Sequence, residues 1–360
     1  MTTPRLRVGV IGAGIGAMHL KGYAHNPDVE IVALAGLDDE RVRRAAAEFH
    51  VPKTYRHYEE LLADERIEAV SVCLPNFLHA PVAIAALEAG KHVLVEKPLA
   101  RNTAEGRAMA AAAAASGKVL MIAFNRRFRQ DVLWLKRHIA SGALGEIYYA
   151  KAFWMRRSGI PRLGSWFVNK AQAGGGPLVD LGVHVLDMAL YLLGEPRVRA
   201  VSASTYAVFG PRGLKGWEGR VAYGDVGFTF DVEDLATAMI RLEGGATLHL
   251  EASWATHSSA ADDFGVTLYG SEGGAELFVH NYATQNTLRL FTDLDGVPAD
   301  TAVFLNSAEE RLGIIDRFVD AVLGRGPADP GVAEGLQRTA VLEACYASAA
   351  AGRELPLDEG

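Results

Sequence analysis

The chain has 360 residues, 49% of them apolar and 22% charged, with a net charge of −7. That length is long for one core and predicts two domains, and the acidic balance gives no support for nucleic-acid binding. No apolar run approaches the roughly 20 residues that span a bilayer, and Cys73 and Cys345 are too few for a disulfide framework, so a reducing, cytoplasmic setting without membrane contact is expected.

The N-terminal stretch MTTPRLRVGVIG enters a strand-like run directly, without the layout of an export signal. Leu6–Ile11 reads as a buried parallel strand, and Gly12-Ala13-Gly14-Ile15-Gly16-Ala17 follows it into a helix. Glycines in a G-x-G-x-x-A turn let backbone N–H groups approach a pyrophosphate, which the helix N-terminus favours. Dinucleotide binding through Gly12, Gly14, Ile15, Gly16 and Ala17 is expected. A second strand over 30–36 leads to Asp38 and Asp39, placed for a ribose-binding acid or for capping the helix over 40–49. No arginine directly after the strand stands ready for a 2′-phosphate, which favours NAD over NADP.

Helices over 58–63, 80–89 and 103–116 then alternate with strands over 69–74, 92–95 and 119–124. Such alternation predicts a doubly wound parallel sheet, whose ligands bind at the carboxyl ends of its strands. Asn76, His79, Glu96, Lys97 and Asn125 sit at such ends. The alternation stops near 124–125, so domains of 1–124 and 125–360 are predicted.

Arg126-Arg127-Phe128 opens a helix reaching about position 141, and 146–154 alternates as a strand. Residues 155–176 are irregular, and loops of that length are often functional. The stretch GGGPLVDLGVHVLDMALYLLG, 174–194, reads as one buried helix with Pro177 in its first turn. Asp180, His184 and Asp187, at i, i+4 and i+7, share one face of it. Gly182 costs such a helix about 1 kcal/mol relative to alanine and fits a place where backbone approaches a ligand. The plainer reading is a half-buried helix with polar residues near its start. Beyond it come a strand over 198–209 and a glycine-rich charged loop over 210–225. A hairpin over 235–254 and strands over 264–269, 275–279, 288–292 and 302–305 predict an antiparallel sheet. Helices over 307–323 and 331–350 close the chain.

Gly12-x-Gly14-x-x-Ala17, Pro75-Asn76-x-x-His79, Glu96-Lys97-Pro98, Asn125-Arg126-Arg127-Phe128 and Asp180-x-Gly182-x-His184, in this order, resemble the Gfo/Idh/MocA oxidoreductases, a family that includes glucose–fructose oxidoreductase and inositol dehydrogenase. The resemblance covers essentially the whole chain. It implies an α/β fold: an N-terminal Rossmann doubly wound parallel sheet, then a C-terminal α/β domain with an open, mostly antiparallel sheet. The outer face of that second sheet commonly builds homodimers or homotetramers. It also implies hydride transfer between NAD(P) and a secondary hydroxyl of a sugar, glycoside or cyclitol. Carried over by motif, Lys97 is the catalytic lysine, Asp180 orients substrate and His184 is the acid/base. Leu74, Pro75 and Asn76 line the nicotinamide side with Glu96 beside them, and Trp166 is an aromatic on the cofactor or substrate side. Relatives often carry an aspartate where this chain has Gly36. The ribose carboxylate then falls to Asp38, and NADP stays open beside NAD.

An imidazole of ordinary pKa near 6.5 suits general-base work at neutral pH. A lysine ammonium can stabilise developing alkoxide charge. Which of Lys97 and His184 takes the proton first stays open. Arg126, Arg156 and Lys170 are the expected hydrogen-bond donors toward substrate. Asp180, His184 and Asp187 lack the cysteine company of a zinc site, and no metal is expected. The Lys97/His184 set would equally serve redox-neutral sugar chemistry, in which tightly bound NAD oxidises the ring transiently during glycoside cleavage or elimination. A third reading, a non-catalytic dinucleotide-binding regulator, is opposed by the intact Glu-Lys-Pro and Asp-x-Gly-x-His elements.

Overall fold

The computed structural model describes residues 5–216, 230–305 and 310–357. The chain divides into two units, residues 1–125 with 309–339, and residues 126–308 with 340–360.

In the first unit the strands are β1 (Leu6–Ile11), β2 (Val29–Ala35), β3 (Lys53–Tyr55), β4 (Ala69–Val72), β5 (His92–Val95) and β6 (Leu120–Ile122). They are linked by α1 (Gly16–His25), α2 (Asp39–Glu48), α3 (Tyr58–Leu62), α4 (His79–Glu88) and α5 (Thr103–Ser116). All strand pairs are parallel, in the order β3-β2-β1-β4-β5-β6. Strands with no polar alternation need cover on both faces, and Val8, Val10, Val70, Val93 and Leu94 are fully buried. Local chemistry sets the helix ends. Asp38 caps α2 by accepting from the Arg41 N–H at 3.1 Å. Asn102 caps α5 from the Glu105 N–H at 2.9 Å, and Gly117 ends it in a left-handed conformation. The strand order reverses between β1 and β4, where open α/β sheets form their ligand crevice.

In the second unit, α6 (Gln130–Ala140) and β7 (Ile147–Arg156) are followed by α7 (Lys170–Ala173) and α8 (Val183–Leu192). The remaining strands are β8 (Val198–Tyr206), β9 (Leu235–Leu242), β10 (Thr247–Ser253), β11 (Asp262–Gly270), β12 (Gly274–His280), β13 (Leu288–Leu294) and β14 (Val297–Val303). After them the chain runs through α9 (Glu310–Val322), which belongs to the first unit, α10 (Val332–Ala351), which starts in the first unit and ends in the second, and the short β15 (Leu355–Pro356) of the second. The sheet runs β14-β13-β12-β11-β7-β10-β9-β8-β15. Along β7, Ala150, Ala152, Trp154 and Arg156 are buried on one face. The other face carries Tyr149 and Phe153, which pack on Tyr269 and Phe278.

The second sheet is mostly antiparallel, as expected, with one parallel pairing, β7 with β10, at its centre. Other expectations are corrected. The hairpin at Asp295-Gly296 turns at once, so its second strand starts at Val297 rather than 302. The second domain is not the continuous segment 125–360, since residues 309–339 go with the first unit. The cause is packing. A Cβ on Gly22 of α1 would press into Ile315 of α9, and the Ile122 N–H donates to the Pro330 carbonyl. Segment 174–194 is not one regular helix. Residues Leu178–Gly182 form a wider π turn before α8 begins. Most of the predicted charged loop, 217–225, lies outside the described residues.

Candidate active site

In the first unit, Gly12 ends β1 with φ +102°, where a side chain would run into the Cys73 carbonyl. Only glycine holds that turn without strain. A Cβ on Gly14 would meet nothing within 4 Å, so the backbone there is open to a ligand, at the N-terminal end of α1. Close helix-to-strand packing falls to Gly16 rather than Ala17: a Cβ on Gly16 would stand 2.8 Å from Val10. Ile15 is exposed. An open backbone beside a helix N-terminus fits the pyrophosphate of a dinucleotide. Asp38 is taken up as the α2 cap and pairs with Arg41 at 3.1 Å, with its side chain 53% exposed.

Leu74 and Pro75 follow β4 half-buried, and Asn76 is buried at the start of the turn Asn76–Leu78. His79, expected among the cofactor contacts, is fully buried. Its Nδ1 lies 2.7 Å from the Pro98 carbonyl and its Nε2 lies 2.8 Å from the Leu74 carbonyl. It therefore ties the loop after β4 to the loop after β5. Burial pulls its pKa down against those two carbonyls, so the neutral ring donates to one at a time. Glu96 and Lys97 leave β5 half-buried, and the Glu96 carboxylate accepts from the Lys97 backbone N–H at 3.1 Å. Asn125 is half-buried at the end of this unit.

In the second unit, the Leu178–Gly182 turn and α8 place Asp180 and His184 four residues apart, both half-buried. The turn starts where Glu233 receives it: its carboxylate accepts from the Gly176 and Leu178 N–H groups at 3.0 and 3.1 Å and from the Tyr346 hydroxyl at 2.8 Å. Burial raises the Glu233 pKa in spite of those bonds. Gly182 has an ordinary helical φ of −57°. Its missing side chain serves packing: a Cβ there would stand 3.1 Å from Leu178 and 3.2 Å from Ala252 of β10. The expected backbone-to-ligand approach is thus replaced by a backbone-to-sheet approach. Asp187 faces away from this chemistry, fully buried against Arg127.

Trp254, just after β10, donates from Nε1 to Asp180 Oδ2 at 3.0 Å. The Trp154 ring of β7 packs on His184 at 5.5 Å, and its own N–H goes to Asp262 at 2.7 Å. Arg156 is buried between Asp262, at 2.9 Å, and the Tyr282 hydroxyl, at 3.1 Å. Burial pulls the Arg156 pKa down, but Asp262 and then Asp180 hold it above its ordinary value. The Arg126 guanidinium is 5.0, 4.8 and 5.4 Å from the rings of Trp154, Phe264 and Tyr282. Such contacts hold a desolvated cation in place. Asp180, His184, Arg126 and Arg156 are thus brought into one cluster. Lys170 is exposed, with its ammonium over the Tyr346 ring at 5.7 Å, and Trp166 stacks on Phe167 at 3.9 Å. Sequence reasoning missed Trp254, Asp262, Tyr282 and Glu233. Each reaches the site through a contact more than 50 residues away, and no local spacing marks it.

Trp254→Phe removes the donor that fixes Asp180. It is expected to lower kcat/KM by about 10–150-fold, the worth of one hydrogen bond to a charged group, in steady-state kinetics; unchanged kinetics would mean that Asp180 is held by other means.

Comparison with known proteins bears on both units. A family model described as an oxidoreductase family with an NAD-binding Rossmann fold matches residues 6–124, and a GFO/IDH/MocA C-terminal domain model matches residues 132–276. D-glucoside 3-dehydrogenase of Escherichia coli is 33% identical over 359 residues, covering 99% of both chains. Myo-inositol 2-dehydrogenase of Thermotoga maritima is 29% identical, covering 81% of this chain and 79% of its own. The solved structure of a levoglucosan dehydrogenase in complex with NADH and levoglucosan superposes with a TM-score of 0.86 at 28% identity, covering 99% of this chain and 100% of that one.

Proposed function

Because the chain belongs to the Gfo/Idh/MocA oxidoreductase family, we propose that it oxidises a secondary ring hydroxyl of a pyranose, glycoside, anhydrosugar or cyclitol with NAD. The observation that carries this reading is Asp180 and His184 on one turn-and-helix segment, with Trp254 fastening the acid and Trp154 packed on the base. Supporting it, the similar proteins named above are a glucoside, an inositol and a levoglucosan dehydrogenase.

The glycine turn, with Leu74, Pro75, Asn76 and Asn125, holds the dinucleotide, and Asp38 stands for the ribose contact. The bound nicotinamide supplies a hydride acceptor. The chain's own residues do the rest. Asp180 accepts from a neighbouring sugar hydroxyl and fixes which carbon is presented. His184 Nδ1 is buried, so Nε2 is the nitrogen that takes the hydroxyl proton as the carbinol C–H bond breaks. Lys97 Nζ donates to the reacting oxygen while it carries developing negative charge. Arg126 and Arg156 donate to the remaining hydroxyls. Lys170 and Trp166 complete the set at its edge.

A panel of glucosides, anhydrosugars and inositols is assayed with NAD+ and with NADP+. The expected result is stoichiometric NADH from at least one cyclic polyol, with NAD+ preferred. Cleaved or dehydrated sugar without net NADH would overturn it in favour of redox-neutral chemistry.

A further inference from the structure

Behind Glu96 the first unit buries a run of polar side chains that the mechanism above does not use. His19, in α1, lies with Nε2 3.0 Å from Glu96 Oε1 and Nδ1 2.9 Å from Ser71 Oγ. Ser71, in β4, lies 2.8 Å from the Tyr23 hydroxyl, again in α1. Tyr23, Ser71 and His19 are all buried, and the Glu96 side chain is 15% exposed. The second Glu96 oxygen takes the Lys97 backbone N–H.

The donors in this run fall into one order. Tyr23 ends the chain with Ser71 as partner, so its O–H donates there. The Ser71 O–H then donates to His19 Nδ1, and the His19 Nε2–H donates to Glu96. Every buried donor meets an acceptor, and the run ends on a carboxylate that two N–H groups satisfy. A buried carboxylate is costly unless so held. Burial pushes the Glu96 carboxyl up, but the His19 hydrogen bond, helped by the Lys97 ammonium, outweighs it and holds it below the ordinary range. The groups facing Glu96 are therefore His19 from α1, His79 from α4, Lys97 beside it in the chain, and the buried Cys73 after β4.

We propose that His19 is a positioning residue for Lys97: fixed by Ser71 and Tyr23, it holds the Glu96 carboxylate, which pins the Lys97 backbone and keeps a buried negative charge beside the lysine side chain. The inference rests on the dehydrogenase reading above and adds to it. Glu96 then acts through Lys97 and not as a cofactor contact in its own right.

Three variants test this: His19→Ala, His19→Gln, whose amide can still donate to Glu96, and Tyr23→Phe, which removes one oxygen. Each is measured for kcat and KM, for NAD+ binding by fluorescence, and for Tm. His19→Ala is expected to lose about 10–100-fold in kcat, the scale of removing an outer partner from a functional group, with its NAD+ affinity within about threefold of the parent. His19→Gln should recover much of the kcat, and Tyr23→Phe should show the same direction at smaller size. A lowered Tm with kcat unchanged, or a His19→Gln variant that restores Tm without kcat, would make the run a packing feature only and overturn the proposal. Should His19→Ala fail to fold, a Tyr23→Phe kcat identical to the parent would overturn it equally. Failure of the dehydrogenase reading itself shows separately, as sugar converted by the parent enzyme without net NADH.

Discussion

Lys97→Met and His184→Ala are each expected to lose most turnover while still binding NAD+. Methionine keeps the length of the lysine stem but removes the ammonium, so what is lost is the charge facing the reacting oxygen, worth about 10²–10³-fold in kcat when such a donor is deleted. Alanine at 184 removes the proton acceptor, worth about 10²–10⁴-fold. It also takes a ring from against Trp154, so some loss of Tm is expected beside it. Neither residue belongs to the glycine turn, where the fit to a dinucleotide rests on Gly12 and on the open backbone of Gly14. Titration of NAD+ against each variant should therefore give a Kd within about threefold of the parent, a difference well under the 1.4 kcal/mol that marks a factor of ten. Near-full turnover in either variant would remove that residue from the chemistry.

The largest expected effect on stability lies elsewhere, at Asp187. Its side chain and that of Arg127 are 1% and 2% exposed, and they meet in a two-point ion pair, with Arg127 Nε 3.0 Å from Asp187 Oδ2 and its terminal nitrogen bonded to the other carboxylate oxygen. Glu195 lies 3.4 Å from the same guanidinium, and the Tyr191 ring packs 4.7 Å from it. Asp187→Ala takes from a buried cation its two-point carboxylate partner and leaves the longer Glu195 contact. Removing one member of a buried pair costs about 3–5 kcal/mol, and Glu195 places this case toward the lower end. At roughly 2–4 °C per kcal/mol for a unit of this size, thermal unfolding should fall by about 6–12 °C. The double variant Asp187→Leu/Arg127→Met removes both charges and should recover a large part of the loss, as apolar replacements of buried pairs do. A single variant with unchanged Tm would mean that the pair is not desolvated in solution.

Asp187 shows what the sequence could and could not say. Spacing placed it on a face with Asp180 and His184, though no motif claimed it; Asp180 stands within the π turn Leu178–Gly182, and regular α geometry does not carry from that turn into α8. Gly182 was legible as unusual from its cost in a helix. Its reason, contact with Ala252 on β10, depends on a strand 70 residues away. The first sheet was legible almost throughout, because a buried parallel strand and the turn after it are written in consecutive residues. The parallel pairing of β7 with β10 was not, since nothing near either strand states its partner. In the cluster around Asp180, the motif residues came from local patterns. Trp254, Asp262 and Tyr282 came only from tertiary contacts, and Arg156 gains its two fastenings from the last two of these.

The membership of residues 309–339 in the first unit has a consequence for how the chain is made. At synthesis, segments fold largely in the order they emerge. When residue 125 has left the ribosome, β1 to β6 and α1 to α5 are available. Yet Ile315 is still missing from the groove that Gly22 leaves in α1, and Pro330 is missing from the Ile122 N–H. More than 180 further residues, including β7 to β14, must be translated before that cover arrives. The nascent dinucleotide-binding sheet therefore waits with an apolar flank bare while the second sheet is assembling. A gene fragment ending at residue 125 would freeze the chain at that stage, so excision of the Rossmann unit requires splicing 309–339 back onto it rather than simple truncation.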